Sequence, residues 1–415
     1  MDQAMANILA PSNGILKQAI MDLKEPVIFR GILKDEEGCN IWKFLDWNLT
    51  ELAEKLGDMR LPFRTGFNGR SKEPQWDIKC PTQTMTMQRF LEESYSCDRP
   101  EKWYYFDYKY MHEWLKDQPE ILASVDWRRF GFDAWGEDST LWIGNKGAHT
   151  NCHQDSYGCN LVAQMHGRKQ WFLFPPSCTN ALQPTRIPYE ESTVYSKFNF
   201  FCPTQKDEEA IVNVPERPKC ITLEPGQVLF VPGGWWHYVE SLDLSVSVNV
   251  WLPLPTDCEA RLREALVKLI ATRLGKGCLN SAEEPHSTLH RSMKLVEACL
   301  HEVKANEEPV ESPSKKKAKA VTWTAAALSK EYPKHVSLLS ELNTKELRKL
   351  LIEKRERFSV SNEAASDEKC AQVTEDSNLS ESSLDQISKA VINSFCHPDI
   401  ISRVAQLVID SNVTA

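Results

Sequence analysis

Apolar residues near the start of the chain repeat with a helical period. Ile15, Leu16, Ile20 and Leu23 share one face of the stretch Ser12–Leu23, behind a Ser-Asn cap signal. Pro26–Gly31 reads as a short strand closed by a glycine turn. Trp47–Leu56 reads as an amphipathic helix stopped at Gly57, and Met85–Glu93 as a third helix. From Trp103 onward the texture changes from helical to strand-like. Trp103–Tyr110, Thr140–Gly144, Asn160–Met165, Lys169–Phe174, Ile221–Leu223, Gln227–Val231 and Ser245–Trp251 are short strand-like runs, most of them bounded by Gly or Pro. His166-Gly167-Arg168 is a hairpin signal and Glu224-Pro225-Gly226 a turn. So many short, punctuated strands predict a closed or double-sheet β-barrel such as a jelly roll.

Beyond Pro255 the helical period returns. Cys258–Leu274 carries an apolar stripe through Leu262, Leu266, Leu269 and Ile270 and stops at Gly275 and Gly277. His301–Ala320 is rich in Pro, Ser, Glu and Lys, and Ser359–Ser383 is acidic and Ser-rich; both compositions predict disorder. Leu384–Ile409 is helical again, through Ile387, Val391, Ile392, Phe395, Ile400, Val404 and Leu407. The expected division is an N-terminal α/β segment over 1–100 packing on the barrel and a β core over 101–255. A helical segment follows over 256–300, then a largely disordered linker with a short helix over 301–383 and a helical tail over 384–415. The tail either packs back on the barrel or serves a partner.

Composition adds exclusions. The 415 residues, 41% apolar and 26% charged, describe an ordinary globular chain. A net charge of −9 argues against wholesale binding to a nucleic-acid backbone, though not against a local basic patch. The N-terminus lacks a secretory pattern, and no apolar run approaches the roughly 18–20 residues of a membrane span. Thirteen cysteines, an odd number without a Cys-x-x-Cys pair, speak against a disulfide framework or a thiolate zinc site and suit a reducing compartment. A cytoplasmic location is expected, with the nucleus as the alternative. Lys315-Lys316-Lys317-Ala318-Lys319 has the composition of an import patch, but equally that of a solvated linker.

Candidate chemistry centres on Thr150-Asn151-Cys152-His153-Gln154-Asp155. In a strand, His153 and Asp155 point to the same face, and a carboxylate turned toward a core needs a partner. About eighty residues later, Gly233-Gly234-Trp235-Trp236-His237 supplies a second imidazole after a strand. Two histidines and one carboxylate make a facial ligand set that leaves positions open and suits non-haem Fe(II); the same set could hold zinc for hydrolysis. Trp235 and Trp236 read as packing residues.

The neighbouring motifs sharpen this. Asn160-Leu161-Val162-Ala163-Gln164-Met165-His166-Gly167-Arg168-Lys169-Gln170-Trp171-Phe172-Leu173-Phe174-Pro175-Pro176, together with Pro225-Gly226-Gln227-Val228-Leu229-Phe230-Val231-Pro232-Gly233-Gly234-Trp235-Trp236-His237, resembles the JmjC family of cupin-fold dioxygenases. The likeness covers roughly residues 12–275. It implies a mainly β fold with flanking helices, a double-stranded β-helix (jelly-roll) core and C-terminal helices. His153, Asp155 and His237 would be the iron ligands. Lys169 would pair with the distal carboxylate of 2-oxoglutarate, with Thr150 adding a hydroxyl and Tyr105 a phenol. Asn160 and Asn249 would lie beside the metal-chelating end. Tyr104 and Arg168 are the neighbours most easily confused with Tyr105 and Lys169.

The implied chemistry is oxidative decarboxylation of 2-oxoglutarate to succinate and CO₂ with O₂, coupled to hydroxylation of a protein side chain or an RNA base. Asp107–Tyr110, Ser139–Gly144, Pro184–Ser192 and Arg403–Val408 further resemble a branch of the family that associates with small heat-shock proteins. A scaffold that binds such a protein is therefore the rival expectation. In related small hydroxylases a helical pair dimerises, so a homodimer through Cys258–Leu274 is a further expectation.

Overall fold

The computed structural model describes residues 10–96, 100–274, 285–307, 322–358 and 383–411. The basic run Lys315–Lys319 and the acidic stretch 359–382 lie outside the described residues.

Fifteen strands are named in chain order: β1 (Val27–Phe29), β2 (Leu61–Phe67), β3 (Thr82–Met85), β4 (Lys102–Tyr110), β5 (Thr140–Gly144), β6 (His149–Asp155), β7 (Cys159–His166), β8 (Lys169–Phe174), β9 (Pro184–Thr185), β10 (Thr193–Ser196), β11 (Lys219–Leu223), β12 (Val228–Val231), β13 (Trp236–Ser241), β14 (Ser245–Leu252) and β15 (Val336–Leu338). They form two antiparallel sheets, in the orders β15-β1-β12-β7-β14-β5-β4-β2-β3 and β11-β8-β13-β6-β10-β9. Consecutive strands β6, β7 and β8 alternate between the sheets, as do β11, β12, β13 and β14, which winds the chain as a double-stranded β-helix.

That winding corrects the hairpin expectation at His166-Gly167-Arg168. β7 pairs with β12 and β14 in one sheet, while β8 pairs with β11 and β13 in the other. The turn is a corner between sheets. Gly167 has φ +61° there, and a Cβ would sit 2.1 Å from the Leu244 carbonyl oxygen, so only glycine fits.

The N-terminal segment does more than pack on the barrel, because β2 and β3 extend the larger sheet beyond β4. Helix α1 (Asn13–Asp22), capped by Ser12, and helix α2 (Leu49–Leu56), opened by an Asn48 capping box, bury their apolar faces against that sheet's outer side. Leu16, Ile20, Leu52 and Leu56 join Phe29, Phe63 and Phe106 in the largest core cluster.

Two outcomes depart from the sequence reading. Residues 322–358, assigned there to a largely disordered linker with a short helix, are ordered. They contain α7 (Ala325–Glu331), β15, which pairs with β1, and α8 (Thr344–Glu356). The apolar content of α8 is confined to a narrow stripe. Its Leu347 and Leu351 enter the core on the outer face of the smaller sheet, and Lys354 is buried, paired with Glu240 at 2.6 Å. Arg357 also pairs with Glu240. The second departure is α5 (Asp257–Leu274). Its stripe packs within the chain, with Leu262, Leu266 and Val267 set against α6 (Pro285–Glu307), α9 (Ser383–Phe395) and α10 (Pro398–Asp410). The helix expected to face a second copy is covered by the tail, which folds back.

The Glu240 pair yields a stability prediction. Despite the cost of burial, Arg357 and Lys354 hold the Glu240 carboxyl well below its usual range. Glu240→Gln strands a buried ammonium and should destabilise the protein by about 3–5 kcal/mol in urea unfolding, whereas Glu240→Leu with Lys354→Met should recover most of that. Because the folded pKa is depressed, the contribution is full above the ordinary glutamate value of about 4.3 and fades as the pH drops below it.

Candidate metal centre

The sequence brings its polar residues together by two routes. One is the plain strand period: Ser247, Asn249 and Trp251 on β14, Lys169 and Trp171 on β8, and Asn160 and Val162 on β7 all turn into the same pocket. The other is a pair of β-bulges. Between β6 and β13 the register slips from His153↔His237 to Thr150↔Val239, so one extra residue sits on β6. Between β4 and β5 it slips from Phe106↔Ile143 to Lys109↔Leu141, with the extra residue on β4. Each bulge places two residues three apart on one face: Thr150 with His153, and Tyr105 with Tyr108.

His153 and His237 lie opposite each other in the ladder, with ring centroids 4.1 Å apart. His153 Nδ1 is 2.8 Å from the Asn151 carbonyl and His237 Nδ1 is 3.1 Å from the Trp235 carbonyl. A carbonyl only accepts, so each Nδ1 carries a proton and each Nε2 is the nitrogen left toward the pocket. Burial, reinforced by the neighbouring His153, lowers His237 to about 4, so its imidazole is neutral at physiological pH. Asp155 Oδ1 stands 3.7 Å from His153 Nε2, and one ligand atom from each of His153, Asp155 and His237 falls within 4.8 Å of the others. Two imidazoles and a carboxylate converging at that spacing are a donor set that fits a divalent ion.

Deeper in the pocket, Lys169 is 2% exposed. Its Nζ donates to Ser247 Oγ at 2.8 Å and to Tyr105 Oη at 3.1 Å. An ammonium has three donors, so one is left for a guest. Burial lowers Lys169 to about 7, opposed by the field of Asp107. Asp107 itself is engaged by Arg64, whose Nε donates to it at 2.7 Å. Among the described residues, no carboxylate lies within ion-pair distance of Lys169. A buried cation with hydroxyl neighbours and no anion fits an incoming carboxylate.

The asparagines are linked to each other. Trp142 Nε1 donates to Asn249 Oδ1 at 2.7 Å, and Asn249 Nδ2 donates to Asn160 Oδ1 at 2.9 Å. This chain fixes the Asn249 amide and engages the Asn160 carbonyl oxygen, which leaves the Asn160 NH₂ as the donating end of that side chain. Tyr108, Trp142 and Trp251 form an aromatic wall beside the triad.

All eight residues singled out from the sequence line this one pocket. Tyr104 instead enters the main core on the other face of β4, and Arg168 sits in the exposed corner, paired with Asp243. Trp235 and Trp236 are buried away from the pocket, their indoles donating to the Lys24 carbonyl and to Thr179. Sequence reasoning missed Ser247, Trp251, Trp142, Trp171 and Tyr108. The first two were within reach, lying two residues either side of Asn249 on a strand. Tyr108 was not, because strand period puts it on the opposite face from Tyr105.

The chain matches the family described as a cupin-like domain over residues 13–256. It is 42% identical over 284 residues to HSPB1-associated protein 1 of Mus musculus, covering 65% of this chain and 56% of the relative. Against HSPB1-associated protein 1 of Homo sapiens it is 41% identical over 290 residues, covering 66% and 56%. Against lysine-specific demethylase 8 of Xenopus tropicalis it is 26% identical over 255 residues, covering 60% and 53%. The chain thus spans about half the length of the curated relatives it matches. With a double-stranded β-helix carrying the His-x-Asp…His set and a family match over more than half its residues, the chain belongs to the cupin-like JmjC-domain family.

Proposed function

We propose that this chain is an Fe(II)- and 2-oxoglutarate-dependent oxygenase that hydroxylates a C–H bond of a protein side chain or an RNA base. The observation that carries the reading is the meeting, in one pocket, of the His153–Asp155–His237 triad with the unpaired, buried Lys169. A hydrolytic zinc site has no use for the second feature.

The residues divide the work. His153, Asp155 and His237 hold the metal from one side. Lys169, positioned by Ser247 and Tyr105, takes the distal carboxylate of 2-oxoglutarate, and Thr150 adds a hydroxyl to it. Asn160 offers its amide N–H groups to the chelating end, with its orientation set through Asn249 and Trp142. Tyr108, Trp142 and Trp251 exclude water from the reacting side. When bound, the metal and co-substrate supply oxidative decarboxylation to succinate and CO₂ together with oxygen insertion into the substrate.

Association with a small heat-shock protein is a second, compatible reading. Its support is that relatives 41–42% identical to this chain bear the name HSPB1-associated protein 1.

His153→Ala should abolish metal-dependent succinate formation while leaving small heat-shock protein capture unchanged; loss of both would mean that one structural unit serves both readings. Lys169→Ala should raise the KM for 2-oxoglutarate by about tenfold or more in steady-state assays, since a hydrogen bond to a charged group is worth roughly 1.5–3 kcal/mol. The protonated lysine is the binding form, and in the empty site it titrates near 7. The 2-oxoglutarate affinity of the Mn(II)-loaded protein should therefore fall by up to about tenfold per pH unit above that value in calorimetric titrations, with proton uptake on binding. Lys169→Arg, charged throughout, should flatten the dependence.

A further inference from the structure

The three ligand side chains are not fixed in the same way. His153 and His237 are each tied to a backbone carbonyl through Nδ1. Asp155 has no such tie. It ends β6, just before the turn through Gly158, and its carboxylate could rotate about its side-chain bonds. The contact that orients it comes from another strand: Trp251 Nε1 on β14 donates to Asp155 Oδ2 at 3.1 Å. With Oδ2 engaged, Oδ1 is the oxygen left on the triad side, 3.7 Å from His153 Nε2.

The indole is itself braced. The Tyr108 ring stacks on Trp251, with centroids 5.5 Å apart and an interplanar angle of 27°, and the Trp142 ring lies edge-on with its centroid 6.5 Å away. Tyr108 reaches this position from the β4 bulge, where its φ is +57°. A tyrosine in the left-handed region is strained, and such strain persists only where the surroundings hold it. Two irregular features, a bulge and a left-handed tyrosine, thus converge on one indole whose N–H meets the metal-ligand carboxylate.

We infer that Trp251 is a positioning residue for the metal centre. It occupies one oxygen of Asp155, so that the carboxylate ligates through the other alone, and Tyr108 holds the indole in place. The inference rests on the reading that the triad binds a divalent ion. Its physical basis is that a ligand's outer hydrogen bond sets its orientation and the number of atoms it offers. A carboxylate free to turn would offer both oxygens and occupy a coordination position needed by the co-substrate.

Trp251→Phe keeps the ring and its stack on Tyr108 while deleting the N–H. Mn(II) affinity, read from the electron paramagnetic resonance signal of the free ion, and the visible spectrum of the Co(II) form both report on the site without turnover. The variant should bind Mn(II) about 10–100-fold more weakly, and its Co(II) bands should weaken as coordination number rises. Tyr108→Ala, which spares the N–H but removes the brace, should show a smaller loss in the same assay. Unchanged affinity and spectrum in Trp251→Phe would overturn the inference and leave the metal-site reading standing. Failure of the unaltered protein to bind Mn(II) or Co(II) would instead sink both. If circular dichroism shows that Trp251→Phe does not fold, benzothienylalanine at position 251 replaces the N–H with sulfur at nearly constant shape. The same two outcomes then decide the question.

Discussion

A lysine ammonium buried in a barrel, with no carboxylate of the described residues within ion-pair distance, is the constraint around which the site is arranged. Lys169 is enclosed by Tyr105, Ser247 and Thr150, neutral groups that can orient a charge but not balance it. Burial therefore pulls its pKa down toward neutrality, a state that a carboxylate guest would reverse. In the same pocket, the triad poses the complementary problem: two imidazoles and a carboxylate whose ligand atoms converge on shared space. An ion at one end and an organic acid anchored at the other satisfy both sets of groups at once. Neither set alone would identify the pocket so narrowly.

The barrel meets this requirement through its winding. Because consecutive strands alternate between sheets, residues far apart in sequence become ladder neighbours. His153 and His237 are directly opposed, and Asn160 and Asn249 share a hydrogen bond. The appended elements then close the outside. α8 seals the outer face of the smaller sheet through Glu240, Lys354 and Arg357, and the C-terminal helices cover the stripe of α5. The outer surfaces of α9 and α10 still carry exposed Ile387, Val391, Phe395, Ile400 and Leu407.

Much of this was legible in the chain because short apolar and aromatic runs bounded by Gly and Pro are a strong strand signal. β4, β5, β7, β8, β12 and β14 were all visible that way, and the three ligands stood out by residue type and spacing. What escaped has physical reasons. A bulge adds one residue and reverses the facing of everything beyond it, so Tyr108 could not be placed with Tyr105 by periodicity. A corner between sheets uses the same glycine chemistry as a hairpin, so Gly167 could not say which sheet β8 would join. α8 fell inside the stretch read as linker because its buried lysine depends on Glu240, more than a hundred residues earlier in the chain. Local composition carries no trace of such a partner.

The central claim is that one pocket holds a divalent iron and a 2-oxoglutarate side by side. The direct measurement is the visible absorption spectrum of the Fe(II)-loaded protein on anaerobic addition of 2-oxoglutarate. A metal-to-ligand charge-transfer band that grows to saturation with the co-substrate, and is absent when succinate replaces it, is the predicted result. No band at saturating iron and 2-oxoglutarate, from protein shown to be folded, would contradict the account.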